Sequence, residues 1–464
     1  MNPKVQTRII GHLIVLVVVV CSLASAASAE WKEKVLYSFQ GGTDGQLPGG
    51  GVIFDKAGNL YGVTIEGGST ACPPGWCGKI YQLSPPAQKG GAWSETVLYV
   101  FKGHDQNDGS SPSGGLIADS AGNFYGVTGY GGSGPCVLFG TATGCGTVFE
   151  LSPPAQEGGA WTETVLYNFQ GGKDGDLPTG PLAFDKAGNL YGATEFGGGK
   201  GTTCDAFYGG NCGTVFELTP PKSKGGEWTE KMLYSFAGIG QGKQDGYGAE
   251  PNGGLTLDSK GKVYGTTYIG GYNCPHNSNQ GCGTVFELKP PTAKGHPWTE
   301  EQLHIFKNSN DGAQPGTGVV MGARGSLYGG AEGGAKEGGV VFRLAATSGG
   351  PWTETILYAF TVAPEGGYDP TVARFDASGT IYGTTNVGPG ESLAGSVFRL
   401  RPPSREAASW QISVLHGFTN NPDGAFPNTP LTFDSSGRIY GATQFGGTGQ
   451  SCQRGCGTVF AVSP

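Results

Sequence analysis

The chain has 464 residues, of which 88 are glycine and 30 are proline, and its formal net charge is −8. This glycine and proline content excludes a helical protein, and the lack of a strict three-residue period excludes collagen. Aromatic residues make up 11% of the chain and recur at fixed places, which argues against disorder. The acidic balance disfavours binding to nucleic acid or an anionic membrane surface, since both require lysine and arginine.

The segment 1–29 is predicted to be a secretory signal peptide. Lys4 and Arg8 supply its positive end, an apolar run covers 9–20, and Ala27-Ser28-Ala29 resembles a cleavage site. The apolar run is short for a membrane span, so cleavage is favoured over anchoring. We therefore expect a mature domain over 30–464, secreted to the periplasm or the medium, without a membrane span.

Repeats dominate the rest of the sequence. The tract Gly58-Asn59-Leu60-Tyr61-Gly62 contains a marker tyrosine that occurs seven times: Tyr61, Tyr125, Tyr191, Tyr264, Tyr328, Tyr382 and Tyr440. In the first unit, four short segments rich in β-branched and aromatic residues predict strands A to D, at 51–55, 59–64, 79–83 and 95–101. Four antiparallel strands, repeated radially, are typical of a propeller blade.

The two ends of the repeat array are complementary. The mature chain starts with a D strand after Trp31 and stops just after a C strand at 457–462. Tryptophans that precede D strands number seven: Trp31, Trp93, Trp161, Trp228, Trp298, Trp352 and Trp410. We therefore predict an all-β, seven-bladed β-propeller with four-stranded blades, in which the N-terminal strand completes the last blade and closes the ring. An open solenoid or separate sandwiches would not need such offset ends.

The units also resemble a known repeat. The tracts G-N-L-Y-G-A-T at 188–194 and G-T-V-F-E-L at 213–218, with their copies elsewhere, are similar to the GloVer tandem repeat of bacterial secreted proteins in the choice-of-anchor group. The resemblance covers essentially the whole mature chain and implies secretion. It implies no particular chemistry, and the C-terminal anchoring segment common in that group has no counterpart before Pro464.

Ten cysteines follow the predicted signal peptide, and all lie between strands B and C of their units. They form five close pairs: Cys72 and Cys77, Cys136 and Cys145, Cys204 and Cys212, Cys274 and Cys282, and Cys452 and Cys456. An exported chain can oxidise such pairs, so we predict five local disulfides. A zinc site is the alternative, but each loop has only two cysteines where zinc prefers four ligands.

Loops B–C and D–A should share one face of the propeller. The B–C loops on this face vary most in length between units. Residues just after strand B on that face are the candidates for ligand binding: Glu66, Tyr130, Glu195, Tyr268, Glu332, Asn386 and Gln444. Variable loops on a rigid scaffold commonly carry binding sites, and carboxylates with aromatic rings suit a sugar or a cation. Each residue taken alone could equally be a solvated loop side chain.

The Asp-Gly-x-x-Pro tracts in the D–A loops, such as Asp44-Gly45 with Pro48, predict turns, with calcium binding as the alternative. No P-loop, G-x-S-x-G or H-E-x-x-H motif occurs. His304 and His416 stand where other D strands have tyrosine, so we interpret them as structural substitutes rather than catalytic bases.

Function is predicted only coarsely. We expect a monomeric, non-catalytic binding or structural protein without cofactor or metal, whose ligand is an extracellular polysaccharide or protein. One alternative is a hydrolase or lyase that uses two carboxylates on the face of the B–C and D–A loops. Glu66, Glu195 and Glu332 come from different units and should lie far apart, which disfavours such a pair. A second alternative is a calcium-dependent adhesin.

Overall fold

In the computed structural model, seven four-stranded antiparallel sheets surround a central channel as a β-propeller, as predicted. The structure describes residues 31–69, 72, 77–156, 158–199, 212–223, 225–238, 248–271, 274, 281–347, 350–361, 367–388, 394–404, 409–427 and 429–464. The predicted signal peptide 1–29 and Cys204 lie outside these ranges. Within them there is no α-helix, and no helical segment has the length and apolar character that crossing a membrane requires.

Strands A to D of each blade run from the channel outward. Blade 1 contains Gln46–Phe54, Leu60–Glu66, Lys79–Ser84 and Ser94–Val100. Blade 2 contains a divided strand A, Gly109–Pro112 and Ile117–Ala118, then Phe124–Gly131, Thr147–Ser152 and Thr162–Asn168, with the hairpin Val137–Leu138 and Thr141–Ala142 in its B–C loop. Blade 3 contains Asp176–Phe184, Leu190–Phe196, Thr214–Thr219 and Thr229–Ser235.

Blades 4 to 7 repeat this order with shorter inner strands. Blade 4 contains Thr256–Leu257, Val263–Thr267, Thr284–Lys289 and Thr299–Ile305, together with the pair Gly248–Ala249 and Ile269–Gly270. Blade 5 contains Val320–Met321, Leu327–Ala331, Glu337–Ala346 and Trp352–Thr361. Blade 6 contains Tyr368–Phe375, Ile381–Val387, Ser396–Arg401 and Gln411–Gly417, and blade 7 contains Thr432–Phe433, Ile439–Thr443, Thr458–Ser463 and Lys32–Ser38. In the described part of the chain, short 3-10 helices lie at Gly42–Asp44, His104–Gln106 and Ala323–Gly325.

The N-terminal strand closes the ring, as predicted. Lys32–Ser38 pairs antiparallel with Thr458–Ser463, with Lys32 opposite Ser463 and Ser38 opposite Thr458. The last blade is therefore built from both ends of the chain, and two sheet edges that would otherwise be unpaired are joined.

The marker tract is explained by one side chain in the A–B turn. The Asp55 carboxylate accepts hydrogen bonds from the backbone N–H groups of Ala57 and Asn59, from the Asn59 amide at 2.7 Å and from the Tyr61 hydroxyl at 2.9 Å. These four bonds fix the turn and the direction of strand B. Equivalent aspartates, such as Asp119 and Asp185, repeat the arrangement.

The hydrophobic core lies between the blades. The phenylalanine that follows strand D packs edge-to-face on the central aromatic ring of strand C in the next blade, as in Phe101 on Phe149 at 5.1 Å between ring centroids. The contact that closes the ring, Phe39 on Tyr81, has the same geometry at 5.1 Å. Each such pair stabilises by about 0.5–1.5 kcal/mol beyond its buried area.

Strand A begins earlier than predicted. In blade 1 it starts at Gln46 rather than 51, so Pro48 belongs to the strand and not to the D–A loop. An irregular register between Gly49 and Ile53 accounts for the extra length. The residue before the proline, Leu47, has a φ of 55°, although a residue before proline usually favours extended backbone.

This left-handed residue recurs in all seven blades and is part of a contact that we call the proline latch. The residues are Leu47, Ser111, Leu177, Glu250, Gln314, Asp369 and Phe426. The Leu177 N–H, for example, donates to the carbonyl of Cys145 in the preceding blade at 3.2 Å. The proline that follows, Pro178, lies against Gly146 so closely that a Cβ there would come within 2.4 Å of the ring.

Four predicted disulfides are present: Cys72–Cys77, Cys136–Cys145, Cys274–Cys282 and Cys452–Cys456. Each spans its own B–C loop. Its second cysteine directly precedes the glycine that contacts the latch proline, as Cys145 precedes Gly146. Cys212 is also disulfide-bonded.

Candidate functional site

The seven predicted ligand-binding residues lie at or just after the ends of strand B, but they do not form one site. Glu66 of blade 1 accepts a hydrogen bond from the Gln46 amide at 2.6 Å. Tyr130 of blade 2 lines a separate cavity of about 270 Å³ together with His104 and Lys102. Gln444 of blade 7 lines the central channel, whose volume is about 410 Å³.

Three candidates from successive blades do come together. The Tyr268 hydroxyl of blade 4 donates to the Glu332 carboxylate of blade 5 at 3.3 Å. Glu332 and Asn386 of blade 6 line a cavity of about 110 Å³. We call this cavity the acidic cleft and define it by Gln314, Thr317, Glu332, Asp369 and Asn386. Since Thr317 also lines the channel, the two cavities adjoin.

The acidic cleft favours protonated carboxyl groups. The pKa of Glu332 is raised to about 7, chiefly by burial and secondly by the negative charge of Asp369, with the hydrogen bond from Tyr268 opposing both effects. Burial also raises the pKa of Asp369. Near neutral pH, Glu332 is therefore divided between an acid that can donate a hydrogen bond and a carboxylate that accepts one.

Polar atoms in and beside the cleft lack partners. Asn386 Oδ1 and Thr317 Oγ1 are shielded from solvent and make no hydrogen bond within the described part of the chain. The same holds for Asn252 Oδ1, which lines the channel. Buried polar groups are nearly always paired in folded proteins, so these oxygens are suited to a ligand or to water.

Glu195 belongs to a neighbouring acidic group on blades 3 and 4. Its pKa is raised to about 7, chiefly by burial and secondly by the charges of Glu250 and Asp176. Glu250 also acts on Tyr268, so acidic groups continue along the rim from blade 3 to blade 6. Glu195 and Glu332 remain on different blades, with Glu250 and Tyr268 between them.

Asp369 and Glu250 were missed as candidates because the sequence directed attention to strand B. Both are left-handed residues of the proline latch, which places them on strand A beside the strand-B candidates of the preceding blade. A signal was available, because each directly precedes the proline of its latch.

Two aspartates of the Asp-Gly-x-x-Pro tracts, Asp44 and Asp174, accept hydrogen bonds from neighbouring groups of the fold. Asp44 accepts from the Tyr37 hydroxyl and from the Gln40 N–H, both at 2.7 Å, through different oxygens. Asp174 repeats this with Tyr167 and Gln170. His416 takes the tyrosine position as expected, with its Nε2 2.9 Å from Asp423 Oδ2.

Comparison with known protein families agrees with the repeat. The profile of the Gloeobacter/Verrucomicrobia repeat matches residues 274–464, which confirms the resemblance inferred from the sequence. No curated protein matches the sequence.

Several solved structures are similar over most of the chain. One from Thermus thermophilus, described as an oxidoreductase (glucose dehydrogenase), has 14% identity and a TM-score of 0.42 and covers 93% of this chain and 100% of its own. Another, described as a gluconolactonase, has 13% identity and a TM-score of 0.38, covering 94% and 92%. A gluconolactonase from Xanthomonas campestris has 14% identity and a TM-score of 0.34, covering 68% and 78%. These likenesses are too distant to carry an argument about function.

Proposed function

We propose, for a chain whose residues 274–464 match the profile of the Gloeobacter/Verrucomicrobia repeat, that the protein is secreted and binds a polysaccharide at the acidic cleft. The observation that carries the proposal is the set of buried, unpartnered oxygens beside a carboxyl group that can donate or accept. Sugar hydroxyls are both donors and acceptors, and they can satisfy such a set. The open channel beside the cleft gives room for further sugar units.

The ring supports recognition because it holds these groups rigidly. Glu332 and Asn386 extend from strands of different blades, and the proline latch fixes those blades to one another. A site held in place before binding loses little conformational entropy when the ligand arrives.

Binding is tested by passing the purified, oxidised protein over a panel of immobilised polysaccharides, with retention and released sugar measured together. We expect retention without product, and we expect Asn386→Ala and Glu332→Gln to weaken it. Glu66→Gln is the control, because Glu66 ends strand B of blade 1 and lies outside the cleft, one residue further along its unit than Glu332. Loss of retention in the control alone, or no retention on any polysaccharide, would contradict the proposal, and retention on protein ligands only would assign the face to a protein partner.

A second candidate is a hydrolase or lyase, and the pair Glu332 and Asp369 favours it. Two carboxyl groups in one cleft, one of them with a pKa of about 7, provide the acid and base that glycoside cleavage requires. This function predicts new reducing ends or unsaturated product in the same panel. Glu332→Gln and Asp369→Asn should each abolish product, whereas Glu195→Gln should not.

Export is proposed from the predicted signal peptide together with the four disulfides, which are typical of oxidising compartments. Expression in a Gram-negative bacterial host should yield exported protein that begins at Glu30. Exported protein that retains residues 1–29 would contradict the cleavage but not the binding proposal.

A further inference from the structure

At the outer junctions between blades, three side chains meet repeatedly. A tyrosine or histidine from strand D of one blade contacts the aspartate of the following D–A loop, and a glutamate from strand D of the next blade lies beside them. In blade 1 and blade 2 these are Tyr99, Asp108 and Glu163, and the tyrosine donates to the aspartate at 2.8 Å. We call this arrangement the junction cluster.

The junction between blades 4 and 5 departs from this pattern. His304 replaces the tyrosine, and its Nε2 lies 3.4 Å from Asp311 Oδ2 and 3.5 Å from Glu354 Oε1. Both distances exceed those of a good N–H···O hydrogen bond. The other histidine junction differs in its geometry, since His416 Nε2 makes a short contact of 2.9 Å with Asp423, while Glu33 lies near enough to both to interact with their charges.

These distances match the spacing of ligands around a metal ion. Zinc binds histidine nitrogen and carboxylate oxygen at about 2.0–2.2 Å, which places neighbouring ligands of a tetrahedral site roughly 3.3–3.5 Å apart. His304 Nε2, an Asp311 oxygen and a Glu354 oxygen all lie within 4.8 Å of one another. The two distances from the imidazole nitrogen therefore match edges of a tetrahedron, and the two carboxylates are close enough to each other to share one ion.

The burial of the three side chains and their missing hydrogen-bond partners also support a metal site. His304 Nε2 and Glu354 Oε1 are shielded from solvent and have no hydrogen-bond partner among the described residues, and the exposed side-chain fractions of His304, Asp311 and Glu354 are 18%, 12% and 15%. One imidazole nitrogen and two carboxyl oxygens are donor atoms that a divalent transition-metal ion such as zinc accepts as ligands. The remaining oxygen of Asp311 accepts from Ser309 N–H and Oγ, and this orients the carboxylate.

We propose that His304, Asp311 and Glu354 bind a divalent transition-metal ion, with zinc as the best match to one nitrogen and two oxygen ligands. The site staples the outer strands of blades 4 and 5 through side chains. It lies outside the acidic cleft and does not depend on the function proposed for the cleft.

The test uses untagged, metal-free, oxidised protein titrated with zinc alone, with bound metal and melting temperature both measured. We expect one tightly bound zinc per chain. When free zinc exceeds its Kd by about 100-fold, the unfolding equilibrium constant should fall about 100-fold. Calcium in place of zinc should give neither effect.

His304→Tyr is the decisive variant, because it recreates the tyrosine cluster that other junctions already accommodate. It should fold and lose the zinc, whereas His416→Tyr, the matched control, should retain it. Glu354→Gln provides a second variant of nearly equal volume and should weaken zinc binding. Equal zinc binding by wild type and His304→Tyr, loss of zinc in His416→Tyr alone, or binding of calcium in preference to zinc would overturn the proposal.

Discussion

Tyr81 has a hydroxyl group at a strand-C position where the other six blades have phenylalanine. The side chain is fully buried, and its hydroxyl makes no hydrogen bond among the described residues. The hydroxyl lies close to Gly62, where a Cβ would approach it to 2.4 Å. A buried polar group without a partner destabilises a fold by about 1–3 kcal/mol.

We therefore expect Tyr81→Phe to raise the free energy of unfolding by about 1 kcal/mol. Urea denaturation of oxidised protein measures the change. Phe149→Tyr, the reverse substitution at the equivalent position of blade 2, should lower the free energy of unfolding. Equal destabilisation by both substitutions would show that the Tyr81 hydroxyl is satisfied.

Glu163, in the junction cluster of blades 1 and 2, makes stability depend on pH. Its pKa is raised to about 8 from an ordinary value of 4.5, chiefly by burial and secondly by the charge of Asp108, against the opposing effects of Lys102 and the Tyr99 hydroxyl. Because the folded state holds this proton more tightly than the unfolded state, its contribution is complete below pH 4.5 and is lost as the pH rises towards 8.

Glu163→Gln should remove this contribution, so the fall in stability between about pH 4.5 and pH 8 becomes less steep. At about pH 8 the variant should be more stable than wild type, by about 1 kcal/mol or more. Melting temperatures across this range test the prediction, with exposed Glu337→Gln as the control. Parallel curves for wild type and Glu163→Gln would contradict it.

At the scale of single elements, the proline latch joins one blade to the next. Gly146 has a φ of 93°, and a Cβ there would lie 2.4 Å from Pro178 Cδ and 2.5 Å from the Thr128 carbonyl oxygen. An alanine at this position must adopt left-handed backbone and must also separate the two blades.

Gly146→Ala should therefore destabilise the protein by about 2–4 kcal/mol, as strain and overpacking add. Gly188→Ala is the matched control, because Gly188 has a φ of 86° but a Cβ added there would meet nothing within 4 Å. The control should lose only about 1–2 kcal/mol, the cost of left-handed backbone. Thermal unfolding of the two variants separates close contact from backbone strain.

How far the sequence predicts each element depends on whether its cause is local. The A–B turn, the strands and the closing D strand follow from the tract around Tyr61 and from the order of the tryptophans, because these patterns lie within one unit. The left-handed conformation of Leu47 could not be foreseen, since it is held by a carbonyl of another blade. The acidic cleft combines Glu332 and Asp369 from different units, and no linear motif links them.

At the scale of the whole molecule, the first and last described strands pair within blade 7. Since Lys32 faces Ser463, a short linker can join them, and the chain can be opened elsewhere without loss of any strand pairing. The C–D loop of blade 3, between Thr219 and Thr229, gives the same kind of offset ends.

A circular permutant opened in that loop should fold, with a melting temperature within about 5 °C of the original protein. A chain that begins at Gly41 lacks strand D of blade 7 and should aggregate, because the strand Thr458–Ser463, which still pairs with Ile439–Thr443, becomes an exposed sheet edge. Circular dichroism and size-exclusion chromatography distinguish the two outcomes. Cooperative unfolding of the shortened chain as a monomer would contradict this account of ring closure.

The glycines around the channel limit how such a protein can evolve by repeat duplication. A Cβ at Gly50 would lie 1.9 Å from Gly115 N, one at Gly114 would lie 1.8 Å from Gly180 O, and one at Gly253 would lie 1.8 Å from Gly318 N. The innermost backbones of successive blades are therefore already in contact at seven copies. Loss of one unit would drive main chains into one another, while gain of one would part them and widen the channel. The close contacts between these glycines therefore restrict the number of repeats. A gene with an added repeat would encode a protein with a wider channel.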